Sequence, residues 1–386
     1  MKKKIIYTIV SIAGILAIIE SCRKPYFPSV ISSQASYLVV EGIINSGADS
    51  TIIKLSRTVP LSEKTTSSPE LNAKVTVVGS NNVTYPLSDI GNGKYAAGPL
   101  NLDQTKQYRL TIKTAAGNEY ASDFVAVKST PPIDSVGFTI QNNGVNIYAN
   151  THDPNNATHY YRYDYEETWQ FRSKYHSDFV TNGKKIVRRT PAQMISNCFG
   201  NDKSSTIVLA SSAKLKQDVI YEAPVTQVPS TSEKIETKYS ILVKQYALTA
   251  EAYNFWQNLK KNTEQLGSIF DAQPSNINGN IHCTSNPAET VIGYVSVSNV
   301  QTKRIFITNQ QLPQGWLPTY PYACEEDSAL YCHYIICQND VALFLIPKGS
   351  TEIPVDSIPG LGFLASSVEC ADCTIRGVVK QPAFWK

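Results

Sequence analysis

The sequence predicts a mainly β protein, with an N-terminal immunoglobulin-like β-sandwich followed by a larger β-rich domain that contains one prominent helix. The composition favours strands, because 22 tyrosines stand against only two methionines and aromatic residues are enriched in sheets. Short β-rich runs also recur along the chain between clusters of turn residues, which is the pattern of a sandwich. Helical spacing is clear in one segment.

The first 22 residues are typical of an export signal. Three lysines precede an apolar run over residues 5–19, which is shorter than the roughly 20 residues of a permanent transmembrane helix. Ser21 and Cys22 close the run, and a small residue before a cysteine is typical of bacterial lipoproteins that are cleaved and acylated at that thiol. We therefore expect a signal peptide over residues 1–21, a lipid on Cys22 and a tether over residues 22–35. The alternative is an ordinary secretory peptide with an incidental cysteine.

Residues 36–130 are predicted to form the sandwich. Strand-like runs cover residues 37–45, 51–56, 73–78 and 108–113, with turn clusters such as Asn45-Ser-Gly and Gly91-Asn-Gly between them. Pro131-Pro132 then interrupts the chain. We place a domain boundary there, with the second domain over residues 131–386.

The second domain contains the clearest period-two pattern in the chain. Its apolar positions are Tyr161, Tyr163, Tyr165, Trp169 and Phe171, and the even positions between them are polar or charged. Glu167 is the one exception. An exposed row of Tyr161, Tyr163 and Tyr165 would suit binding, but buried tyrosines cover a sheet equally well, and we favour the core interpretation.

One helix is predicted from Thr249 to Gln265. Thr249 can cap its N-terminus and Glu251 lies in the positive first turn. Ala252, Phe255, Trp256 and Leu259 recur at helical spacing on one face. This stripe indicates packing against a sheet.

Seven cysteines follow Cys22, and five of them are close to the C-terminus: Cys324, Cys332, Cys337, Cys370 and Cys373. Because disulfides persist outside the cytoplasm, we expect at least two among these five. The alternative is a zinc site formed by Cys332-His333, Cys337 and the pair Cys370 and Cys373. The odd total leaves at least one thiol without a partner in the chain, and the pairing cannot be read from the sequence.

The remaining chemistry is sparse. A net charge of +3 gives no electrostatic reason to expect a nucleic-acid partner. The sequence has no Gly-x-Ser-x-Gly elbow, zinc-protease helix or phosphate loop, and its five histidines show no metal spacing, so we predict no metal and no cofactor. A hydrolase of peptide or glycan would need scattered acids such as Asp164, Glu166 and Asp340.

Several segments resemble a known family. They are the signal ending in Cys22, the run Tyr37-Leu-Val-Val-Glu-Gly, the segment Gly279-Asn-Ile-His-Cys-Thr-Ser-Asn-Pro, and the ending Cys370-Ala-Asp-Cys with a terminal Pro-Ala-Phe-Trp. Together they resemble a Bacteroidetes lipoprotein family known as domain of unknown function 4249. The resemblance implies an outer-membrane lipoprotein, commonly encoded beside a TonB-dependent β-barrel transporter, and supplies no catalytic residue.

We therefore expect a non-enzymatic accessory or nutrient-capture lipoprotein of such a transporter. The alternatives are the hydrolase described above and a structural component of the envelope. Arg23 and Lys24 follow the lipidated position, where acidic residues favour surface export in related systems. The sequence therefore does not determine which side of the membrane the protein faces.

Overall fold

The computed structural model describes residues 36–59, 67–264, 279–320, 322–332, 337–346 and 350–386. The predicted signal peptide, Cys22 and the tether lie outside these residues. The described chain is mainly β, with several sheets and one long helix, as predicted. In this part of the chain, no helix combines the length and apolar character needed to span a membrane.

Strands make up most of the regular structure along the chain. The strands of the first half are β1 (Leu38–Asn45), β2 (Thr51–Arg57), β3 (Ser68–Pro69), β4 (Lys74–Gly79), β5 (Thr84–Asp89), β6 (Lys94–Ala97), β7 (Gln107–Lys113), β8 (Glu119–Ser122), β9 (Val125–Ala126), β10 (Ile133–Gln141), β11 (Gly144–His152), β12 (Tyr160–Arg172), β13 (Phe179–Thr181) and β14 (Ile186–Arg188). They are followed by β15 (Asn197–Lys203), β16 (Val208–Ser211), β17 (Val219–Pro229), β18 (Lys238–Ala247), β19 (Ile281–Cys283), β20 (Val291–Gly293), β21 (Val297–Ser298), β22 (Val300–Thr308), β23 (Asp327–Leu330), β24 (Glu352–Ile358) and β25 (Gly362–Ser367). The α-helices are α1 (Ala250–Glu264) and α2 (Val368–Ala371), and short 3-10 helices include Glu233–Ile235, Asp340–Leu345 and Cys373–Ile375.

The first module is one curled sheet around one core. Its strand order is β19-β8-β7-β4-β5-β6-β2-β1-β20, and its core includes the fully buried Leu38, Ile53 and Val77. The two ends of the sheet meet, because the buried side chain of Asn280 donates to the carbonyl of Val295 at 2.9 Å and accepts from its N–H at 2.8 Å. The module is therefore closed by residues that follow α1.

This closure corrects the predicted domain boundary. Strand β19 pairs with β8, and β20 and β21 pair with β1, so residues 281–298 belong to the first module and not to the second. Glu289 fastens this segment by accepting hydrogen bonds from Tyr120 at 2.6 Å and from Arg57 at 3.2 Å. The physical reason is that β1 and β8 would otherwise expose unpaired backbone groups at the sheet edges. Local periodicity does not reveal which distant strand pairs with them.

The second module packs two antiparallel sheets face to face. The smaller sheet is β10-β11-β17, and the larger has the order β15-β12-β18-β22 with β16 also on β12. Odd-numbered residues of β12 face the core, where Tyr161 and Tyr163 are fully buried and Tyr165 is 8% exposed. The interpretation of Tyr161, Tyr163 and Tyr165 as a binding surface is therefore wrong, because these rings fill the space between the two sheets.

Glu167 also faces this core, with 4% exposure. Its carboxylate accepts hydrogen bonds from the Tyr239 hydroxyl at 2.6 Å and from Lys234 Nζ at 2.5 Å. Because a buried charge is tolerated only when it is paired and hydrogen-bonded, Lys234 and Tyr239 explain why a carboxylate interrupts the aromatic pattern.

A small third core lies in a cysteine-rich lobe near the C-terminus. The hairpin β13-β14, the sheet β23-β25-β24 and the 3-10 helix Asp340–Leu345 enclose it. Disulfides are present, as predicted, and two pairs lie within the predicted group, Cys324–Cys370 and Cys332–Cys337. Cys373 instead bonds to Cys198 at the start of β15, which ties the lobe to the second module. Cys283 in β19 is buried and free.

Candidate functional site: a polar cleft between a sheet and a helix

The outer face of the larger sheet carries a polar cleft. The even-numbered residues of β12 point to this face, and α1 crosses it. The cleft has a volume of about 460 Å³, a size common among small-molecule sites. The side chains that define its chemistry are Arg162, Asp164, Glu166, Lys244, Tyr246 and Trp256.

The cleft exists because β12 changes partner along one edge. β15 pairs with residues 166–172 of β12, and β16 pairs with residues 160–163 on the same side. Residues 204–207 leave the sheet between these two strands and form one wall. Ser204 holds this wall to β12, since its N–H donates to the Tyr165 carbonyl at 2.9 Å and its Oγ accepts from the Tyr165 N–H at 3.1 Å.

Helix α1 forms the other wall and is fastened to the first. Lys260 Nζ donates to the carbonyl of Ile207 at 2.7 Å, and Glu264 accepts from the Ile207 N–H at 2.6 Å. The helix begins one residue after Thr249, whose Oγ1 accepts from the Ala252 N–H at 3.2 Å as a cap. The predicted helix is therefore confirmed, and its C-terminal half holds the loop in place.

Arg162 lies at the centre of the floor. Its guanidinium pairs with Asp164 at 2.7 Å and stacks 4.3 Å from the ring centre of Trp256 and 5.0 Å from that of Tyr246. The two rings and the carboxylate fix the orientation of the guanidinium. Its Nε is buried and has no hydrogen-bond acceptor among the described residues.

Glu166 lies next to this group and is also paired. Its carboxylate accepts from Lys244 Nζ at 2.7 Å, and Lys203 Nζ lies 3.6 Å away. Burial by itself would raise the pKa of Glu166, but the hydrogen bond and charge of Lys244, with help from Lys203, outweigh it and lower the pKa below its usual value. Glu166 therefore stays ionised at neutral pH and is poorly suited to donate a proton.

The first module also reaches the cleft. Glu41 of β1 lies at its rim and pairs with Lys54 at 2.7 Å. The junction between the modules is bridged by hydrogen bonds, because Thr130 Oγ1 accepts from the Ala247 N–H of β18 at 3.0 Å and the Ser129 carbonyl accepts from Thr158 Oγ1 at 3.4 Å. The cleft thus lies where both modules and α1 meet, a common location for ligand sites.

The C-terminus covers another part of the same face. Trp385 packs edge-on against Phe199 and Phe306, at 5.2 and 5.6 Å between ring centres. Phe384 lies 3.7 Å from the guanidinium carbon of Arg304, and Lys238 Nζ donates to the carbonyl of the terminal residue. The terminal Pro-Ala-Phe-Trp therefore shields the sheet, while the part beneath α1 retains the cleft.

The acids considered for hydrolysis are not brought together. Asp164 and Glu166 share the cleft, but Asp340 lies in the 3-10 helix of the cysteine-rich lobe. The described residues contain no group of three or more histidine, cysteine, aspartate or glutamate side chains that could hold a metal ion.

Sequence reasoning missed the roles of Lys244, Tyr246 and Trp256. The helical spacing of Trp256 indicates packing and gives no sign of a cleft. The only sequence signal for the cleft was the charged face of β12, whose even positions line it. The residues that complete the cleft come from β18 and α1.

These features define a mainly β, disulfide-bonded protein with two β modules, a cysteine-rich lobe and a polar cleft at the junction. A family model described as "Domain of unknown function (DUF4249)" matches residues 23–304, and the chain belongs to this family. The resemblance to domain of unknown function 4249 stated from the sequence is thereby confirmed. The matched range ends within β22, before strands β23–β25 of the cysteine-rich lobe and the terminal Pro-Ala-Phe-Trp.

Similarity to other known proteins is weak. Among solved structures, one similar chain is described as "Complete structure of manganese lipoxygenase of Gaeumannomyces graminis and partial structure of zonadhesin of Komagataella pastoris". The identity is 10%, the alignment covers 57% of this chain and 91% of that chain, and the TM-score is 0.18, which is too low to support an argument about fold or function. No curated protein matches the sequence.

Proposed function

We propose that this protein is a non-enzymatic lipoprotein of the outer membrane, which captures a ligand as an accessory subunit of a TonB-dependent β-barrel transporter. The observation that carries the proposal is the cleft at the module junction, because its charged side chains are held by one another and by aromatic rings. A polar surface whose charged side chains are already paired and held in place is suited to binding a ligand. The transporter partner follows from the resemblance described above.

The location is supported by two features. The sequence before Cys22 has the form of a lipoprotein signal. In addition, the described residues contain three disulfides, which form and persist in oxidising compartments. A lipid on Cys22 would confine the protein to the membrane plane and raise its effective concentration near a membrane partner.

The electrostatics of the cleft favour binding over hydrolysis. A glycosidase of the usual type needs one carboxyl group with a raised pKa that donates a proton to the leaving group. In the cleft, Asp164 is paired with Arg162, and the pKa of Glu166 is lowered. Both groups therefore act as acceptors that hold cations.

The anchor is tested by Cys22→Ala. This change should move the protein from the membrane fraction into the soluble fraction, because stable attachment needs several acyl chains to insert together. Cys283→Ala is the matched control, since it removes a buried free thiol and should leave the protein in the membrane fraction. Continued sedimentation of the Cys22→Ala protein with outer membranes would contradict the anchor.

The function is tested by mild detergent extraction of the native membranes. We expect a β-barrel to co-purify with the protein, and we expect the purified protein to leave peptide and glycan libraries uncleaved. A protein that purifies alone and turns over a polymer would overturn the proposal in favour of the hydrolase.

A further inference from the structure

The charges of the cleft are balanced within the protein itself. Three cationic side chains, Arg162, Lys203 and Lys244, line it together with three carboxylates, Glu41, Asp164 and Glu166. Each of the six lies within 4 Å of an opposite charge that the chain already supplies, with pair distances from 2.7 to 3.6 Å. The cleft is therefore dense in hydrogen-bonding groups but has little unbalanced charge.

This balance selects against charged ligands. A ligand carboxylate or ammonium group would have to compete with Asp164 for Arg162 or with Lys244 for Glu166 and leave one protein charge without its partner. A hydroxyl group avoids this cost because it donates and accepts at the same time. It can donate to a carboxylate and accept from the neighbouring cation while the ion pair stays in place.

The remaining lining has the same character. Ser204, Ser205 and Thr206 supply hydroxyl groups along one wall, and the partly buried Trp256 supplies an aromatic surface on the other. Arg162 provides an additional sign that the polar network is incomplete, because its buried Nε has no acceptor among the described residues. A ligand with many hydroxyl groups on an apolar ring skeleton matches both walls.

We propose that the cleft binds a neutral carbohydrate, as one or two sugar rings of a larger saccharide. The proposal rests on the proposed function as a capture protein and names its ligand class. The volume of about 460 Å³ is within the range of small-molecule sites. In the bound state, the hydroxyl groups lie on the Arg162–Asp164 and Lys244–Glu166 pairs, and the ring packs near Trp256.

The test uses the mature full-length protein in detergent, titrated by calorimetry and tryptophan fluorescence. The probes are glucose, galactose, mannose, N-acetylglucosamine, maltose and cellobiose, with glucuronate, L-glutamate and L-lysine as charged probes. We expect saturable binding of at least one neutral saccharide, and about tenfold weaker binding of every charged probe.

Variants decide whether binding occurs in this cleft. Glu166→Gln and Trp256→Leu should each weaken the affinity for the saccharide by about tenfold or more. The thermal transition of each variant should stay close to that of the wild type. Glu119→Gln is the matched control, because its carboxylate forms an exposed pair with Lys113 at 2.8 Å in the first module. It should leave the affinity unchanged.

Three results would overturn the inference: no neutral saccharide binds, a charged probe binds more tightly, or the Glu166 and Trp256 variants bind as well as the wild type. If a β-barrel still co-purifies while no saccharide binds, the ligand class is wrong and the transporter proposal stands. If a saccharide binds but the protein purifies without a barrel, the ligand class stands and the transporter proposal is wrong.

Discussion

Removal of the Cys198–Cys373 disulfide should lower the free energy of unfolding by about 5 kcal/mol. The two cysteines are 175 residues apart, so the bond closes a long loop of the unfolded chain. Cys324–Cys370 shortens that loop from within, because it bridges 46 residues near its end. The shortened loop is still roughly 130 residues, and the loop-entropy relation gives about 5 kcal/mol for that length.

The assay is equilibrium unfolding in urea of the double variant Cys198→Ala/Cys373→Ala. Both positions are buried, so part of the loss comes from the missing sulfur atoms and not from the crosslink. Cys283→Ala measures that part, because Cys283 is equally buried but free. Twice its cost is subtracted from the loss in the double variant.

The comparison that tests the reasoning is with Cys332→Ala/Cys337→Ala. These cysteines are only five residues apart, and the same relation gives about 2 kcal/mol for this short loop. An equal or smaller loss for the Cys198–Cys373 pair, after the correction, would refute the account based on loop length.

Two further predictions concern the second module. Changing Tyr161, Tyr163 and Tyr165 together to serine should unfold it, because each buried aromatic contributes about 3–5 kcal/mol, whereas Tyr221→Ser, at a ring 76% exposed, should leave the thermal transition nearly unmoved. A cooperative transition at the wild-type temperature for the triple variant would show that these rings are not core. Burial raises the pKa of Glu236, so its stabilising contribution is present below the usual glutamate pKa and is lost as the pH rises through the raised value. Glu236→Gln should therefore be more stable than the wild type at pH 7 and equal to it near pH 4 in chemical unfolding, and an equal difference at both pH values would contradict this.

The elements with strong local periodicity were predictable from the sequence. Strand β12 and helix α1 match the predicted segments within one or two residues at each end, because their patterns repeat over several turns or pleats. The core role of Tyr161, Tyr163 and Tyr165 was the favoured interpretation for the same reason.

Long-range features were not predictable. The bond between Cys198 and Cys373, the return of residues 281–298 to the first module and the meeting of Trp256 with Arg162 all join positions that are far apart in the chain. Such contacts depend on the global topology, which single-sequence patterns do not encode. The cleft was only partly visible, as the charged face of one strand.

The closure of the first module has a consequence for how the protein is made. A chain that is synthesised N-terminus first presents β1 and β8 long before β19 and β20, since about 160 residues separate β8 from β19. Until residue 293 has been made, the edges of the first sheet stay unpaired and prone to pair with other chains. Folding therefore cannot proceed one module at a time, and the second module must emerge almost completely before the first can be finished. Residues 281–293 therefore complete the first module only after most of the second module has been made.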